Sequence, residues 1–214
     1  MSKPADYYAH DRSDFLDWVG GQYGRVLDVG CGEGSNARWY RRHGAGEIVG
    51  VEVNEASASR AAQGFDRVVC ATIDAAIPEL DGTFDLIVCA DVLEHLVDPW
   101  TLVSQLRDLA GVSTVLAISM PNIRFAPAIA RIALGRGFQY EEQGIFDRTH
   151  LRFFTRQDVD RLLRHGGWVP ARWGAQLFGP FRRVRLLASR ASGGRSNDWL
   201  AEQLFVVARL RRRG

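Results

Sequence analysis

Short apolar runs alternate with stretches of helical periodicity over the first 120 residues, and this alternation restricts the chain to few folds. Five runs rich in Val, Ile or Leu are predicted as strands, at residues 25–29, 48–53, 67–73, 84–90 and 114–119. Apolar runs of this length suit strands that are buried on both faces of a parallel sheet. Helices are predicted between them at 36–43, 56–63 and 99–110. The order indicates an α/β, doubly wound sheet with helices on both faces.

The pattern changes after the fifth strand. A helix is predicted at 126–134, and a stretch rich in glycine and charge follows it. A connection of this length indicates a lid or substrate insertion, at 121–150. Another helix is predicted from Thr155, with Asp158 completing a capping box. Residues 168–173 and 203–210 are predicted as closing strands, and 188–198 as a flexible connector.

The basic residues are almost all arginine, since Lys3 is the one lysine among 27 basic side chains. This composition excludes a P-loop, a lysine Schiff base and a Tyr-x-x-x-Lys dehydrogenase site. The formal net charge is +2, but the basic end at 181–214 holds nine arginines against Asp198 and Glu202. A solvated terminus is the expected role of that end, with an anion- or membrane-facing patch as the alternative.

The chain is expected to be one cytoplasmic domain, 1–214, with 1–24 as an N-terminal cap segment and the last strand inside the basic end. Its first residues lack an apolar signal region, and no apolar run approaches the ~20 residues of a membrane span. Cys31, Cys70 and Cys89 form no C-x-x-C pair. They lie in or beside predicted strands, which indicates buried free thiols in a reducing compartment.

A glycine-rich turn at Gly30-Cys31-Gly32-Glu33-Gly34 connects the first strand to the first helix. Glycines let the backbone approach a ligand closely, and free amides at a helix start attract anions. Glu52 closes the second strand, where a carboxylate can accept both hydroxyls of a ribose. A dinucleotide fingerprint needs glycine at the sixth position, which is Ser35 here. The pattern therefore favours a ligand with a nucleoside and a small carboxylate over a pyrophosphate.

Residues 27–34 resemble the first motif of class I S-adenosylmethionine-dependent methyltransferases, and 84–96 are similar to that family's fourth strand and the segment after it. The resemblance, which runs over about residues 8–168, implies S-adenosyl-L-methionine as cofactor. It also implies a Rossmann-like sheet of seven strands, mostly parallel, with 203–210 as its one antiparallel strand. The cofactor-binding residues that it implies are Asp28, Gly30, Gly32, Gly34, Glu52, Val53, Asp74, Ala75 and Asp91.

Within that set, the resemblance implies a role for each part of the cofactor. The glycines would form the floor beneath the methionine moiety, and Asp28 would hold the loop and help to place the amino group. Glu52 would bind the ribose, and Val53 would flank the adenine. Asp74, with Ala75, would select adenine.

Two histidines are the candidate catalytic residues. A hydroxyl acceptor needs a general base or a metal to remove its proton. His150, assisted by His95, is predicted to be that base. The run Asp91-x-x-Glu94-His95, together with His150, also resembles the divalent-metal set of plant-type small-RNA 2′-O-methyltransferases and of some ubiquinone-pathway O-methyltransferases. A metal is the less favoured interpretation.

The expected function is O-methylation of a small-molecule or sugar/glycan hydroxyl. The segment 147–155 resembles one found in bacterial methyltransferases of glycan and natural-product pathways. Tyr7, Tyr8 and Arg12, with residues 123–150, would cover the cofactor and shape the acceptor pocket. A metal-assisted RNA 2′-O-methyltransferase and a non-catalytic cofactor-binding module are the alternatives, and a nucleic-acid partner is not favoured. The sequence leaves the oligomeric state open.

Overall fold

A single seven-stranded sheet forms the centre of the protein. The computed structural model describes residues 12–177, Leu187 and 196–211. The strands run in the order β3-β2-β1-β4-β5-β7-β6. Their bounds are β1 Arg25–Val29, β2 Glu47–Glu52, β3 Arg67–Cys70, β4 Phe84–Ala90, β5 Ala110–Pro121, β6 Trp168–Gln176 and β7 Gln203–Leu210.

The sheet is parallel except at β7. The pairs among β1 to β5 are parallel, whereas β7 lies antiparallel to both β5 and β6. This confirms the predicted Rossmann-like α/β fold with seven strands and one antiparallel strand. The strand order reverses between β1 and β4, and in open α/β sheets a ligand crevice forms at such a point, outside the carboxyl ends of the strands.

Helices cover both faces of the sheet. Their bounds are α1 Ser13–Val19, α2 Ala37–Arg42, α3 Glu55–Ala61, α4 Ile73–Ala76, α5 Pro99–Gln105, α6 Ala126–Arg131, α7 Arg156–His165 and α8 Asn197–Leu200. Short helical turns occur at Ile77–Glu79, Leu93–His95 and Ile132–Arg136. Asp98 caps α5 by accepting hydrogen bonds from the amides of Trp100 and Thr101, and Pro99 is the first helical residue.

Two apolar layers hold the helices against the sheet. On one face, α5 and α7 pack Leu102, Leu106 and Leu162 with Trp168, and all four side chains are fully buried. On the other face, α1 and α2 contribute Phe15, Leu16, Trp39 and Tyr40. A third, small cluster of Ala128, Ile145 and Phe146 holds part of the 121–150 insertion together. The sheet and its layers thereby provide a rigid base for the loops at the carboxyl ends of the strands.

The structure differs from the sequence predictions at several places. The third strand ends at Cys70, and Ile73 begins α4, because Thr72 turns the chain toward a helix. Cys31 and Cys89 are buried as predicted, but Cys70 is exposed, since β3 is an edge strand and this residue points outward. The predicted connector 188–198 lies mostly outside the described residues, and its described part includes the start of α8 rather than a loop.

In the part of the chain that the structure describes, no helix is both long and apolar enough to span a bilayer.

Candidate functional site

A cleft of about 1540 Å³ opens where β1, β2 and β4 end. Its lining includes Gly30 after β1, Val53 after β2 and Asp91 after β4. The 121–150 insertion also contributes to the lining, with residues from Pro121 to His150. The cleft therefore joins the predicted cofactor loop and the predicted catalytic histidines in one space.

The glycine turn forms the floor of the cleft. Gly30 and Gly32 line it, with φ angles of 70° and 55°, a region that glycine adopts without a steric penalty. A Cβ added at Gly30 would lie 2.7 Å from Cγ2 of Val92, so the turn has no room for a side chain. Gly34 lies behind the floor and does not line the cleft: a Cβ there would lie 2.8 Å from Cα of Ala61.

Glu52 holds the glycine turn from the neighbouring strand. The residue is 5% exposed, and its carboxylate Oε2 accepts a hydrogen bond of 3.0 Å from the amide of Gly32. Oε1 accepts a bond of 2.8 Å from the amide of Asn54. Asn54 also caps α3, accepting from the amide of Ser57. The carboxylate is thus fixed at the edge of the cleft, and each oxygen retains a further lone pair for a ligand hydroxyl.

Asp28 lies beneath the same floor. The Tyr40 hydroxyl donates to its Oδ2 over 2.7 Å, and the Asn36 amide donates over 3.4 Å. Burial raises the pKa of Asp28 to about 6, while these two donors act in the opposite direction and the charge of Glu52 adds to the rise. The side chain therefore anchors α2 to β1, and its carboxyl still borders the cleft.

The residues predicted to surround the adenine are placed unequally. Val53 is 65% exposed and lines the cleft. Asp74 also lines it, but from the first turn of α4 rather than from a loop. Ala75 is exposed and is not part of the lining. Ile73, which the sequence placed in a strand, also lines the cleft.

Asp91 connects the cleft to both ends of the described chain. It forms an ion pair with Arg12 and accepts a hydrogen bond from the side-chain amide of Gln203. Nη1 of Arg12 donates to Oε1 of Gln203 over 3.2 Å, and the Ser119 hydroxyl donates to Asp91 over 3.2 Å. Asp91 is the non-glycine residue with positive φ (55°) in the described backbone. Sequence reasoning did not predict this network, because its members lie far apart along the chain.

His95, His150 and Glu94 form one cluster in the same cleft. The imidazole centroids are 4.8 Å apart, edge to face. Nε2 of His150 lies 4.0 Å from Oε1 of Glu94. One ligand-type atom from each of the three residues lies within 4.8 Å of the others. Of the four residues predicted as a metal set, the structure brings these three together, whereas Asp91 is engaged by Arg12 and Gln203.

Glu94 is a buried acid that accepts no described hydrogen bond. It is 1% exposed, and neither carboxylate oxygen has a hydrogen-bond partner among the described residues. Burial raises the pKa of Glu94 to about 8, with a contribution from Asp147, although the backbone amide of Glu94 and the charge of Arg12 oppose the rise. A buried acid of this kind near neutral pH marks a candidate functional position.

Many glutamine and acidic side chains line the cleft. Three glutamines line it, Gln143, Gln176 and Gln203. Five acids accompany them: Asp14, Asp98, Glu141, Asp147 and Glu202. The described lining contains no Phe, Tyr or Trp side chain and a single arginine, Arg12. Tyr7 and Tyr8, which the sequence placed over the cofactor, lie outside the described residues.

Comparisons with known proteins agree with this geometry. The family model described as a methyltransferase domain matches residues 4–170. A ubiquinone biosynthesis O-methyltransferase of Chromobacterium violaceum is 28% identical over 180 residues, which are 81% of this chain and 77% of that protein.

Solved structures share the fold. An S-adenosylmethionine-dependent methyltransferase from Archaeoglobus fulgidus superposes with a TM-score of 0.65 at 18% identity, covering 95% of this chain and 96% of that one. Magnesium protoporphyrin IX methyltransferase from Synechocystis PCC 6803, solved with S-adenosylhomocysteine, superposes with a TM-score of 0.60 at 18% identity, covering 93% and 80%.

Proposed function

This chain belongs to the methyltransferase domain family and is a class I S-adenosylmethionine-dependent methyltransferase, and we propose that it methylates a hydroxyl group of a polar small molecule. One observation carries the proposal: Glu52, the predicted ribose-binding residue, and the two histidines line the same cleft. The glutamine and acidic side chains that line this cleft support a sugar or another polyhydroxylated acceptor. Such molecules are recognised by carboxylate and amide side chains, which can both position several hydroxyls.

The cofactor half of the cleft fits S-adenosylmethionine. The floor at Gly30 has no room for a Cβ, and the buried carboxylate of Glu52 faces the space where a ribose would be held. Val53 and Asp74 would contact the base, and Arg12 with Asp91 would border the amino-acid end. When bound, S-adenosylmethionine supplies a methyl group that its positively charged sulfur has already activated for transfer.

A residue of the protein must then remove the proton of the acceptor hydroxyl. Nδ1 of His150 faces the carbonyl oxygen of Ile145 at 3.1 Å, and a carbonyl can only accept. Nδ1 therefore carries the ring proton in neutral His150, and the lone pair is on Nε2. We propose that this Nε2 takes the proton from the acceptor hydroxyl, as histidine does in most general-base reactions.

The acceptor class can be tested directly. Release of S-adenosylhomocysteine is measured with methyl glycosides of common hexoses and, for comparison, with simple catechols. We expect turnover with at least one glycoside and little with the catechols. Turnover confined to the catechols would contradict a sugar acceptor, while turnover with neither set would direct the search to other polar hydroxyl compounds.

A divalent metal is a second candidate for activating the hydroxyl, and Glu94 is the observation that favours it. Its two oxygens have no described donor, and both neighbouring imidazoles direct Nδ1 toward carbonyl oxygens, as metal-bound histidines commonly do. The donor set of one carboxylate and two imidazoles fits a divalent transition metal. Calorimetry with Co²⁺ or Zn²⁺ should show stoichiometric binding that Glu94→Gln abolishes. Absence of binding, with turnover unchanged in EDTA, would leave His150 as the sole base.

An RNA acceptor is less well supported. The cleft is lined by many acids and one arginine, and such a lining repels phosphates. Seven of the nine arginines of the basic end lie outside the described residues. The buried thiols of Cys31 and Cys89 agree with a cytoplasmic enzyme, which is also part of this proposal.

A further inference from the structure

Asp147 is a buried acid at the start of the turn that carries Thr149 and His150. It is 1% exposed, and its Oδ1 accepts hydrogen bonds from the amide of Thr149 at 2.8 Å and from the Thr149 hydroxyl at 2.7 Å. Its backbone carbonyl accepts from the amide of His150 at 3.0 Å. Burying a carboxylate is costly without such bonds. The turn 147–150 is therefore organised around this one side chain.

Thr149 connects Asp147 to His95 through hydrogen bonds of its hydroxyl group. A carboxylate can only accept, so the Thr149 hydroxyl gives its proton to Asp147. The hydroxyl oxygen then accepts from Nδ1 of His95, which lies 3.1 Å away. The carbonyl oxygen of Thr149 is 3.2 Å from the same nitrogen. Because both Thr149 oxygens act as acceptors, Nδ1 of His95 carries the proton, and the neutral ring has its lone pair on Nε2.

The same segment orients the second imidazole. Nδ1 of His150 faces the carbonyl of Ile145, as described above, so the two rings share one tautomer. The segment is also joined to the wall that carries His95, because the amides of Leu151 and Arg152 donate to the carbonyl of Glu94 at 2.8 and 3.0 Å. Residues 145–152 thus set the position of both rings relative to Glu94.

We infer that Asp147 and Thr149 are positioning residues that hold His95, and through the shared turn His150, with the lone pair on Nε2. This inference rests on the proposed function, in which those nitrogens receive a proton or a metal. A side chain that fixes an imidazole tautomer from its second nitrogen is what a catalytic or metal-binding histidine requires. Neither residue is assigned contact with the reacting atoms.

A simple loop turn is the competing explanation. The bond from the Thr149 amide to Asp147 alone makes an Asx turn, which would stabilise the loop without acting on His95. Thr149→Val separates the two, since valine keeps the side-chain shape and the amide but removes the hydroxyl. Thr149→Ser keeps the hydroxyl and is the matched control.

The tautomers can be read by NMR of the full chain labelled with ¹⁵N-histidine and saturated with S-adenosylhomocysteine. Signals are assigned with His95→Gln and His150→Gln. We expect both rings of the wild type to carry the proton on Nδ1. Thr149→Val should give His95 a larger fraction with the proton on Nε2, while Thr149→Ser keeps the wild-type pattern. A wild-type pattern in Thr149→Val, or Nε2 protonation in the wild type, would overturn the inference.

Kinetics supply the second readout. Thr149→Val should lower kcat on the order of tenfold to a hundredfold, the usual effect of removing the partner that orients such a histidine. The KM for S-adenosylmethionine and the affinity for S-adenosylhomocysteine should stay unchanged, and Thr149→Ser should restore kcat. Unchanged kcat in Thr149→Val, or a parallel loss of cofactor affinity, would contradict a positioning role.

Failure of the positioning inference and failure of the proposed hydroxyl methylation would give different results. The NMR measurement needs no acceptor, so it decides the positioning inference even if hydroxyl methylation is wrong. Conversely, a His150→Gln enzyme that keeps full turnover, with Thr149 still controlling the tautomer of His95, would refute the base while leaving the positioning geometry intact.

Discussion

Nε2 of His150 and Oε1 of Glu94 face each other at 4.0 Å in the interior of the protein, and both side chains are almost fully buried. A raised pKa of about 8 leaves Glu94 mostly protonated at neutral pH. The acid next to the catalytic candidate is therefore a neutral neighbour in the metal-free protein, and it becomes a charged one only in alkaline solution or with a cation bound.

The free energy of unfolding should depend on pH through the ionisation of Glu94. The unfolded chain ionises Glu94 near its ordinary pKa of 4.5, whereas the folded protein keeps the proton until about pH 8. The free energy of unfolding therefore falls as the pH rises through this window. In EDTA, Glu94→Gln should match the wild type at pH 5 and exceed it at pH 8.5 by at least about 1 kcal/mol. Urea unfolding at both pH values measures this, with the exposed Glu79→Gln as control. A difference that does not change with pH would contradict the shift.

Removal of the Glu52 carboxylate should weaken cofactor binding. Glu52→Ala takes away the acceptor for the Gly32 amide as well as the proposed ribose contact. We expect the affinity for S-adenosylhomocysteine to fall roughly 10- to 100-fold, because a hydrogen bond to a charged group contributes about 1.5–3 kcal/mol. Calorimetry checks this value. Glu55→Ala, three residues on and exposed, should bind as the wild type does, and equal affinity of both variants would refute the role of Glu52.

Alanine at position 34 should destabilise the protein through a steric clash as well as through the positive φ angle. Gly34 and Gly144 have φ angles of 79° and 83°, so alanine is strained at both. A Cβ at Gly34 also meets Cα of Ala61 at 2.8 Å, whereas nothing lies within 4 Å at Gly144. Gly144→Ala should cost about 1–2 kcal/mol, and Gly34→Ala a further 1–3 kcal/mol or so from overpacking. Similar urea midpoints for the two variants would show that the loop moves to accept the methyl group.

His150→Gln should remove turnover but not cofactor binding. Loss of a general base lowers kcat by about 100- to 10,000-fold. The affinity for S-adenosylhomocysteine should remain within twofold or so of the wild type, since the proposed cofactor contacts lie at the glycine turn and Glu52 and not at His150. His43→Gln is the control, because His43 stacks on Trp39 in the outer layer, with centroids 3.6 Å apart. Wild-type turnover in His150→Gln would exclude it as the base.

The fold followed from the sequence to a large extent. The bounds of β1, β4 and β7 were predicted residue for residue, because turn-forming residues punctuate these apolar runs. The capping box of Thr155 and Asp158 rests on local chemistry and was predicted for the same reason. Strand ends without punctuation were less predictable: β5 extends to 12 residues, because Ala110 already pairs with Phe84 and the register shifts before pairing resumes at Val115.

The site was predictable only where function leaves a local pattern. The glycine turn and Glu52 are neighbours through one strand pair, which the spacing reveals. Asp91 contacts Arg12 and Gln203, and Thr149 contacts His95. The partners in these contacts lie 54 to 112 positions apart in the chain. No periodicity encodes such contacts, because they depend on how loops from separate strands meet.

The insertion of β7 between β5 and β6 has a consequence for biosynthesis. β7 follows its sheet neighbours in sequence, yet it lies between β5 and β6, and its first residue, Gln203, contacts both Arg12 and Asp91. A nascent chain that has emerged only as far as β6 still lacks the strand that joins β5 to β6 and the cleft residues Glu202 and Gln203. Translation must therefore continue through β7 before an active enzyme can form, and a premature stop before residue 203 should yield an inactive protein.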